Sequence, residues 1–481
     1  MLPPGLAAIN FAARRIKATP SMGKGGNPGT STAAAKQAGD QKPVWSSGVP
    51  FYPPSDRYWR IGGEWYDLEP FLHKHPGGAE ILRMARDRFE DCTYAFEAHH
   101  HNYARARAII AKYKVPTEKA LATVRPQPAG REASRAWTTI HGAELDETTH
   151  PKLLGDDAFY SVMRKRLAAH LKQVGCPGGG PTTGCVALFW ATFAAWAGSW
   201  LLTYWSGSFL AALLLGVCAS LLGAFGHNWV HQPRYKLWAY LSLDTIGFSS
   251  DGWFREHVLQ HHMYTNTPWD NHFVGTDPFL VTDPTVPRNW LQRNVMPYAN
   301  PLLLTFGLYA NWFAHLVETL HGNEKPMPTK LLLPLQIALM VQRWGLHGAA
   351  LVYVANGVLG VWYFSMALMN HNAEHTHDVD AHNAARDWGE AQLCASADWA
   401  VHTPFYRAGL YLWLNFHTIH HLFPLLDFSH HPAAQRLLLQ TCKEFGVRYV
   451  ASSPLQIYKE MVHSFRTPQS LYKEIAVYGR I

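Results

Sequence analysis

The sequence is poor in cysteine, and this scarcity excludes several kinds of site. The 481-residue chain has six cysteines, at positions 92, 176, 185, 218, 394 and 442, and no two of them form a Cys-x-x-Cys pair. Zinc ribbons, thioredoxin-like redox sites and small disulfide-stapled folds all need closer or more regular cysteine spacing. We therefore expect the six thiols to be reduced and structural.

Charged residues are absent from one long stretch, because residues 185–225 contain no Asp, Glu, Lys or Arg. Broken only at Ser206-Gly207-Ser208, this stretch predicts two helices of about twenty residues that cross a bilayer. Apolar runs near 298–317 and 347–369 predict two further crossings. The run 331–342 is too short to span alone, and we expect it to lie in the interface or to extend a neighbouring helix.

The charge that is present points to a membrane surface. The net charge is +7, without any block of Lys and Arg. Basic loops beside an anionic bilayer explain this better than nucleic-acid binding, so no nucleic-acid partner is expected.

Histidine is abundant at the ends of the apolar runs, in three clusters that we call box one, box two and box three. They contribute His227 and His231; His257, His261 and His262; and His417, His420 and His421. Residues four apart share one face of an α-helix, so both imidazoles of such a pair can bind one ion. His262 is turned about 100° from His261 and is predicted to face a second ion. Iron, zinc and copper all accept imidazole ligands.

The region before the membrane part carries a different histidine motif. Trp65-Tyr66-Asp67-Leu68 leads to His75-Pro76-Gly77-Gly78, and Phe96 is followed by His99, His100 and His101. This pattern resembles the haem-binding domain of the cytochrome b5 family, which implies His75 as one axial haem ligand. The second ligand is one of the three adjacent histidines, and family spacing favours His100. With both axial positions occupied by histidine, haem b would carry electrons rather than bind oxygen.

The whole constellation resembles the membrane fatty-acid desaturases of the front-end type with a fused cytochrome b5. The resemblance rests on HxxxH in box one, HxxxHH followed by Tyr264-Thr265-Asn266 in box two, and the ending His-His-Leu-Phe-Pro in box three. In Met369-Asn370-His371 it implies a further iron ligand, His371. Front-end members usually begin box three with Gln, where this chain has His417.

The resemblance implies two non-haem iron ions, and no catalytic residue beyond the metal ligands. With molecular oxygen as co-substrate, the enzyme would place a cis double bond in an unsaturated fatty acyl lipid or acyl-CoA. Electrons would come from NADH-cytochrome b5 reductase, because the chain has no strand-GxGxxG-helix unit of its own.

Two other functions share some of these features. A fatty-acyl or sphingolipid hydroxylase can have the same histidine clusters and fused haem domain, but it inserts oxygen. A membrane haem protein that relays electrons could use the clusters to bind structural zinc. Six further histidines, at positions 272, 315, 347, 402, 430 and 431, are interpreted as structural, and His375 as a less favoured substitute for His371.

The predicted fold is mostly α, with about four spanning helices, a cytosolic helical cap and an N-terminal α+β haem domain. The predicted segments are a disordered tail or transit peptide (1–45), the haem domain (46–120), a linker with a pre-membrane helix (121–184), the desaturase domain (185–465) and a C-terminal tail (466–481). We expect an integral membrane protein of the endoplasmic reticulum, with the chloroplast envelope as the alternative.

Overall fold

The computed structural model describes residues 55, 57–88, 91–100, 103–123, 153–266, 270, 272, 276, 279–282, 288–322, 324–377, 385–402 and 409–466. The predicted N-terminal tail, His101 and all of the C-terminal tail except Arg466 lie outside these residues. The described part is mostly helical with two small sheets, which confirms the predicted fold class.

A small α+β unit comes first. Strands β1 (Trp59–Ile61), β2 (Glu64–Tyr66) and β3 (Lys114–Val115) form an antiparallel sheet in that order. Gly62 and Gly63, both at positive φ, make the two-residue turn that pairs Ile61 with Glu64. The helices of the unit are α1 (Ala79–Arg88), α2 (Thr93–His99), α3 (Tyr103–Ile110) and α4 (Thr117–Leu121).

Helix α5 (Phe159–Gln173) leads to the apolar helices α6 (Thr183–Ser206) and α7 (Phe209–Trp229). The side chain of Thr182 caps α6, and Gly207 ends it in the left-handed conformation. Three helices, namely α6, α7 and α15 (Leu346–His371), are long and apolar enough to cross a membrane. They coincide with three of the four predicted crossings.

The chain between box two and α15 differs from the prediction. Helices α11 (Trp290–Asn294), α12 (Met296–Leu304) and α13 (Gly307–Leu320) follow box two. The break between α12 and α13 falls at Thr305, whose hydroxyl lies 3.0 Å from that of Tyr353, in the first third of α15. Residues 298–317 therefore form a bent pair of helices instead of one spanning helix, because the helix is interrupted after Leu304.

The run 331–342, predicted to lie in the interface or to extend a neighbouring helix, falls largely within a separate helix that runs along α15. Helix α14 (Leu332–Trp344) begins near the box end, where Gln336 donates to the carbonyl of Thr245, 2.7 Å away. It ends at the turn between α6 and α7, where the indole of Trp344 donates to the carbonyl of Tyr204 at 2.8 Å. At about 1.5 Å per residue its length is about 20 Å. This is shorter than the hydrocarbon core of a bilayer, about 30 Å, and among the described residues three helices are long and apolar enough to cross one, so the fourth predicted crossing is not confirmed.

The remaining elements cover the end of the bundle where the boxes lie. They are α8 (Lys236–Thr245), α9 (Ser250–Trp253), a π-helix (Phe254–His261), α10 (His262–Tyr264), α16 (Trp388–Ala395), β4 (Asp398–Trp399), α17 (His417–Leu422), α18 (His431–Phe445), β5 (Ala451–Ser452) and α19 (Pro454–Arg466).

Close packing of α7 on α15 aligns their histidine-bearing ends. A Cβ on Gly216 would lie 2.5 Å from the carbonyl oxygen of Ala355, so glycine is required where the two backbones approach. Helix α7 carries His227 in its last turn and α15 ends at His371. This contact therefore brings box one and His371 to the same end of the bundle.

Candidate metal centre

Among the described residues, eight buried or partly buried histidines form two sets of four. The first set joins the end of α7, the π-helix and α17; the second joins the π-helix, the end of α15 and α17. Within each set the ligand nitrogens all lie within 4.8 Å of one another. The first set is His227, His231, His257 and His420, and the second is His261, His371, His417 and His421.

The π-helix decides how box two is divided. A π-helix bonds each residue to the one five positions along, so residues five apart become neighbours on one face. The Nε2 of His262 accordingly lies 3.1 Å from that of His257 and 3.1 Å from that of His420, beside the first set. His261 belongs to the second set. This geometry favours a division other than the one predicted from an α-helix, which places His257 and His261 on one ion and His262 on the other; the predicted division stays a prediction, since the ligand nitrogens of His257 and His261 also lie within 4.8 Å of each other.

Three ligands of the second set are oriented through their Nδ1 atoms. The Nδ1 of His261 is 2.8 Å from a carboxylate oxygen of Asp270, and that of His371 is 3.0 Å from the carbonyl oxygen of Ala395. The Nδ1 of His421 is 3.0 Å from the side-chain oxygen of Gln392. Each acceptor requires Nδ1–H, so the Nε2 of each neutral ring presents its lone pair.

These lone pairs point at one another. The Nε2 atoms of His261 and His371 are 3.1 Å apart, those of His371 and His417 are 2.7 Å apart, and those of His417 and His421 are 3.1 Å apart. His261 and His371 both use their only proton on Nδ1, so no hydrogen bond can join their Nε2 atoms. A cation between them satisfies both lone pairs.

A different observation indicates that the first set also fits a metal ion. Both ring nitrogens of the buried His231 lack a hydrogen-bond partner among the described residues. Burial and then the neighbouring histidines hold the pKa of His231 and of His257 well below the usual value, and burial lowers that of His261 to about 3. The rings are therefore neutral near pH 7, the form that binds a metal ion. Both sets fit a metal.

Some residues at the site are not evident from the boxes. Asp270 and Gln392 belong to no spaced histidine motif, although the side chain of each accepts a hydrogen bond from the Nδ1 of a candidate ligand, His261 or His421. His272, interpreted as structural, has its ring 4.5 Å from that of His261, and its ligand nitrogen lies within 4.8 Å of those of His257 and His261. The one available signal was that box two is followed within ten residues by an acid and a further histidine.

A charged cluster fixes the start of the box-two helices. Within it, His315 on α13 donates through Nδ1 to Glu324, 2.6 Å away, and its Nε2 is 3.7 Å from the carboxylate of Glu256. Glu324 also accepts from Lys330 at 2.7 Å and from Ser249, just before α9, at 3.1 Å. Burial alone lowers the pKa of His315, but Glu256 and Glu324 outweigh it and raise that pKa to about 9.

The haem-domain histidines form a facing pair. The Nδ1 of His75 is 3.1 Å from the carbonyl oxygen of Gly78, and that of His100 is 2.7 Å from the carbonyl oxygen of Phe96. Their ring centroids are 6.1 Å apart. Two imidazoles on opposite sides of one metal, each bound at about 2 Å, have centroids about 6 Å apart. The pair of His75 and His100 fits the two axial positions of a haem. The Nδ1 of His99 makes the equivalent bond to the carbonyl of Ala95, so it is the distance between the rings of His75 and His100 that favours His100.

Comparison with known proteins agrees with this arrangement. A family model described as fatty acid desaturase matches residues 203–453, and one described as a cytochrome b5-like haem/steroid binding domain matches residues 51–117. The chain is similar to an acyl-lipid (8-3)-desaturase of Physcomitrium patens, with 26% identity over 83% of this chain and 85% of that protein. It is similar to a chloroplastic acyl-lipid (7-3)-desaturase of Chlamydomonas reinhardtii, with 26% identity over 80% and 75%. A cytochrome b5-related protein of Drosophila melanogaster is 26% identical over 83% and 86%.

Proposed function

The chain belongs to the fatty acid desaturase family and carries a cytochrome b5-like domain, and we propose from this premise that its two histidine sets each bind one iron ion. The protein is a front-end-type fatty-acid desaturase, an oxidoreductase of fatty-acid metabolism. One observation carries the proposal: in each set, buried neutral imidazoles converge with nitrogens that no described residue satisfies.

The proposed ligands of the first iron are His227, His231, His257 and His420, with His262 beside them; those of the second are His261, His371, His417 and His421. Bound iron supplies the activation of dioxygen that lets hydrogen be removed from unactivated methylenes. The surrounding protein contributes orientation, through Asp270 and Gln392, and exclusion of water, since every ligand side chain is buried or nearly so.

We assign the electron supply to the haem domain, with His75 and His100 as the proposed axial ligands. Reduction of dioxygen to two waters takes four electrons, of which the acyl chain gives two when its double bond forms. The other two would pass through haem b, and NADH-cytochrome b5 reductase is the proposed donor because the sequence lacks a dinucleotide-binding motif of its own.

The proposed substrate is an unsaturated fatty acyl group carried by a lipid or by coenzyme A. The three apolar helices associate the protein with a membrane. We propose the endoplasmic reticulum as its location, where soluble reductant reaches the haem domain from the cytosol.

Expression in yeast fed a panel of polyunsaturated fatty acids tests the function. The expected product has lost two hydrogens, and mass spectrometry locates its new double bond. Gain of one oxygen would identify a hydroxylase instead. Metal analysis of the purified chain should give two non-haem irons, whereas zinc without iron would favour an electron-relay protein.

A further inference from the structure

A buried ion pair joins the haem domain to the rest of the chain. Glu97 lies on α2, one turn before His100, and Arg164 lies on α5. The guanidinium of Arg164 pairs with the Glu97 carboxylate and also donates to the Glu97 carbonyl oxygen at 3.1 Å. Both side chains are 1% exposed. An ion pair this deeply buried needs further partners to offset the loss of hydration.

Those partners are present on both sides of the pair. The second carboxylate oxygen of Glu97 accepts from Arg107 at 2.6 Å. Arg164 donates to the hydroxyl of Ser161 at 3.2 Å and lies 4.3 Å from the ring centroid of Tyr103 and 4.7 Å from that of Tyr160. Both carboxylate oxygens of Glu97 are thus paired, whereas the Nε atoms of Arg107 and Arg164 are buried without a partner among the described residues. Removal of Arg164 leaves the buried Glu97 with Arg107 alone and breaks the contacts that join α5 to α2.

From Arg164 the contacts continue to box three. Tyr160, one turn earlier on α5, donates its hydroxyl to the carbonyl oxygen of Leu422 at 2.6 Å, and its ring stacks on Phe423 with centroids 5.6 Å apart. Leu422 directly follows His421, a proposed iron ligand. An unbroken series of contacts therefore connects the helix next to the proposed haem ligand with the helix that carries box three.

We propose that the Glu97–Arg164 pair is a clamp that positions the haem domain for electron transfer to the metal centre. The inference rests on the proposed function. The step itself moves one electron from ferrous haem, which becomes ferric, to a ferric ion of the centre, which becomes ferrous; no bond or proton is exchanged. Arg164 and Glu97 are positioning residues, since neither touches a reacting atom.

The chain offers a matched control. Lys325 forms a second ion pair across the same junction, with Glu80 on α1, but its side chain is 55% exposed and that of Glu80 is 39% exposed. An exposed pair adds little because water screens it. Lys325→Met therefore removes the same kind of charge from the same junction without breaking a buried ion pair.

The experiment compares full-length Arg164→Met, Arg164→Lys and Lys325→Met with wild type in detergent, each loaded with haem and iron. The haem absorbance reports the haem pocket. Hydrogen–deuterium exchange of α2 and α5 reports docking without any turnover. Stopped-flow reoxidation of dithionite-reduced haem, after addition of acyl substrate and oxygen, reports electron transfer.

In Arg164→Met we expect unchanged haem absorbance, faster exchange in both helices, and haem reoxidation slowed between about tenfold and about a hundredfold, as for a misplaced reacting group. Arg164→Lys should fall between this variant and wild type, and Lys325→Met should stay within about twofold of wild type. Reoxidation in Arg164→Met within about twofold of wild type overturns the proposal, as does loss of its haem. Failure of wild type to make any desaturated product would instead contradict the proposed function, and exchange would still report the clamp.

Discussion

The carboxylate of Asp270 offers the sharpest test of the second metal set. One of its oxygens accepts from the Nδ1 of His261 at 2.8 Å and from the backbone N–H of Asn266 at 3.0 Å, and the other accepts from the backbone N–H of His272 at 2.9 Å. Asp270 is 1% exposed. The substitution Asp270→Asn keeps the volume of the side chain and removes its negative charge.

The size of the effect follows from these contacts. The amide oxygen of the new Asn can still accept from His261 and Asn266, but its NH₂ group then faces the N–H of His272 and leaves that donor unpaired, at a cost of about 1–3 kcal/mol. Loss of the carboxylate behind a ligating histidine lowers metal affinity by about 10- to 100-fold, or about 1.4–2.7 kcal/mol. Asp270→Ala removes the acceptor altogether and should cost more.

Iron retention during a chelator titration, followed by metal analysis per chain, measures this change. Asp270→Asn should lose one of two irons at about 10- to 100-fold less chelator than wild type and keep the other. The control is Asp244→Asn: Asp244 is also buried, but it holds the backbone N–H and hydroxyl of Ser250 instead of a histidine. Wild-type retention by Asp270→Asn would refute the reasoning, and equal loss in the control would mean general destabilisation.

Three further predictions address the irons, the haem and a buried charge. His261→Ala and His420→Ala should each abolish desaturation, assayed as product in yeast, while the haem spectrum is retained; residual activity removes that residue from the ligand set. His75→Ala should lose the haem absorbance and stop turnover unless free cytochrome b5 is supplied, so undiminished absorbance contradicts the axial assignment. His315, whose pKa is raised to about 9, contributes stability that is complete below about pH 6.5 and is lost as the pH rises through 9. The melting temperature in detergent should therefore fall over this interval, and His315→Gln should flatten the dependence; an equally steep fall in that variant would mean that another group titrates.

Much of the architecture could be read from local composition. A run without charged residues, such as residues 185–225, is expected to be buried away from water. Compared with the thickness of a bilayer, the length of this run predicts two spanning helices. The structure has them as α6 and α7. The run 298–317 was apolar enough to predict a third crossing, yet it bends at Thr305 because packing against α15 accommodates two short helices there. Hydropathy indicates that a segment avoids water, but it cannot distinguish one spanning helix from two short helices packed against a neighbour.

The chemistry of the centre was likewise present in residue types. Imidazoles in apolar surroundings need a partner for each nitrogen, so the boxes predicted metal binding without any coordinates. The spacing in the boxes pointed to eight of the histidines that the structure brings together, a family resemblance implied His371, and His272 was missed. Asp270 and Gln392 were missed because a single acid or amide has no periodic signature.

By itself, then, the sequence determined which side chains could bind metal or haem and which segments could leave water, since both depend on the chemical nature of residues close together in the chain. Tertiary structure alone decided that His257 and His261 fall in different sets of four, with His262 beside the set of His257, because a π-helix changes which positions are neighbours. It also decided that Glu97 meets Arg164, 67 residues away, since contact between distant segments depends on how whole helices pack.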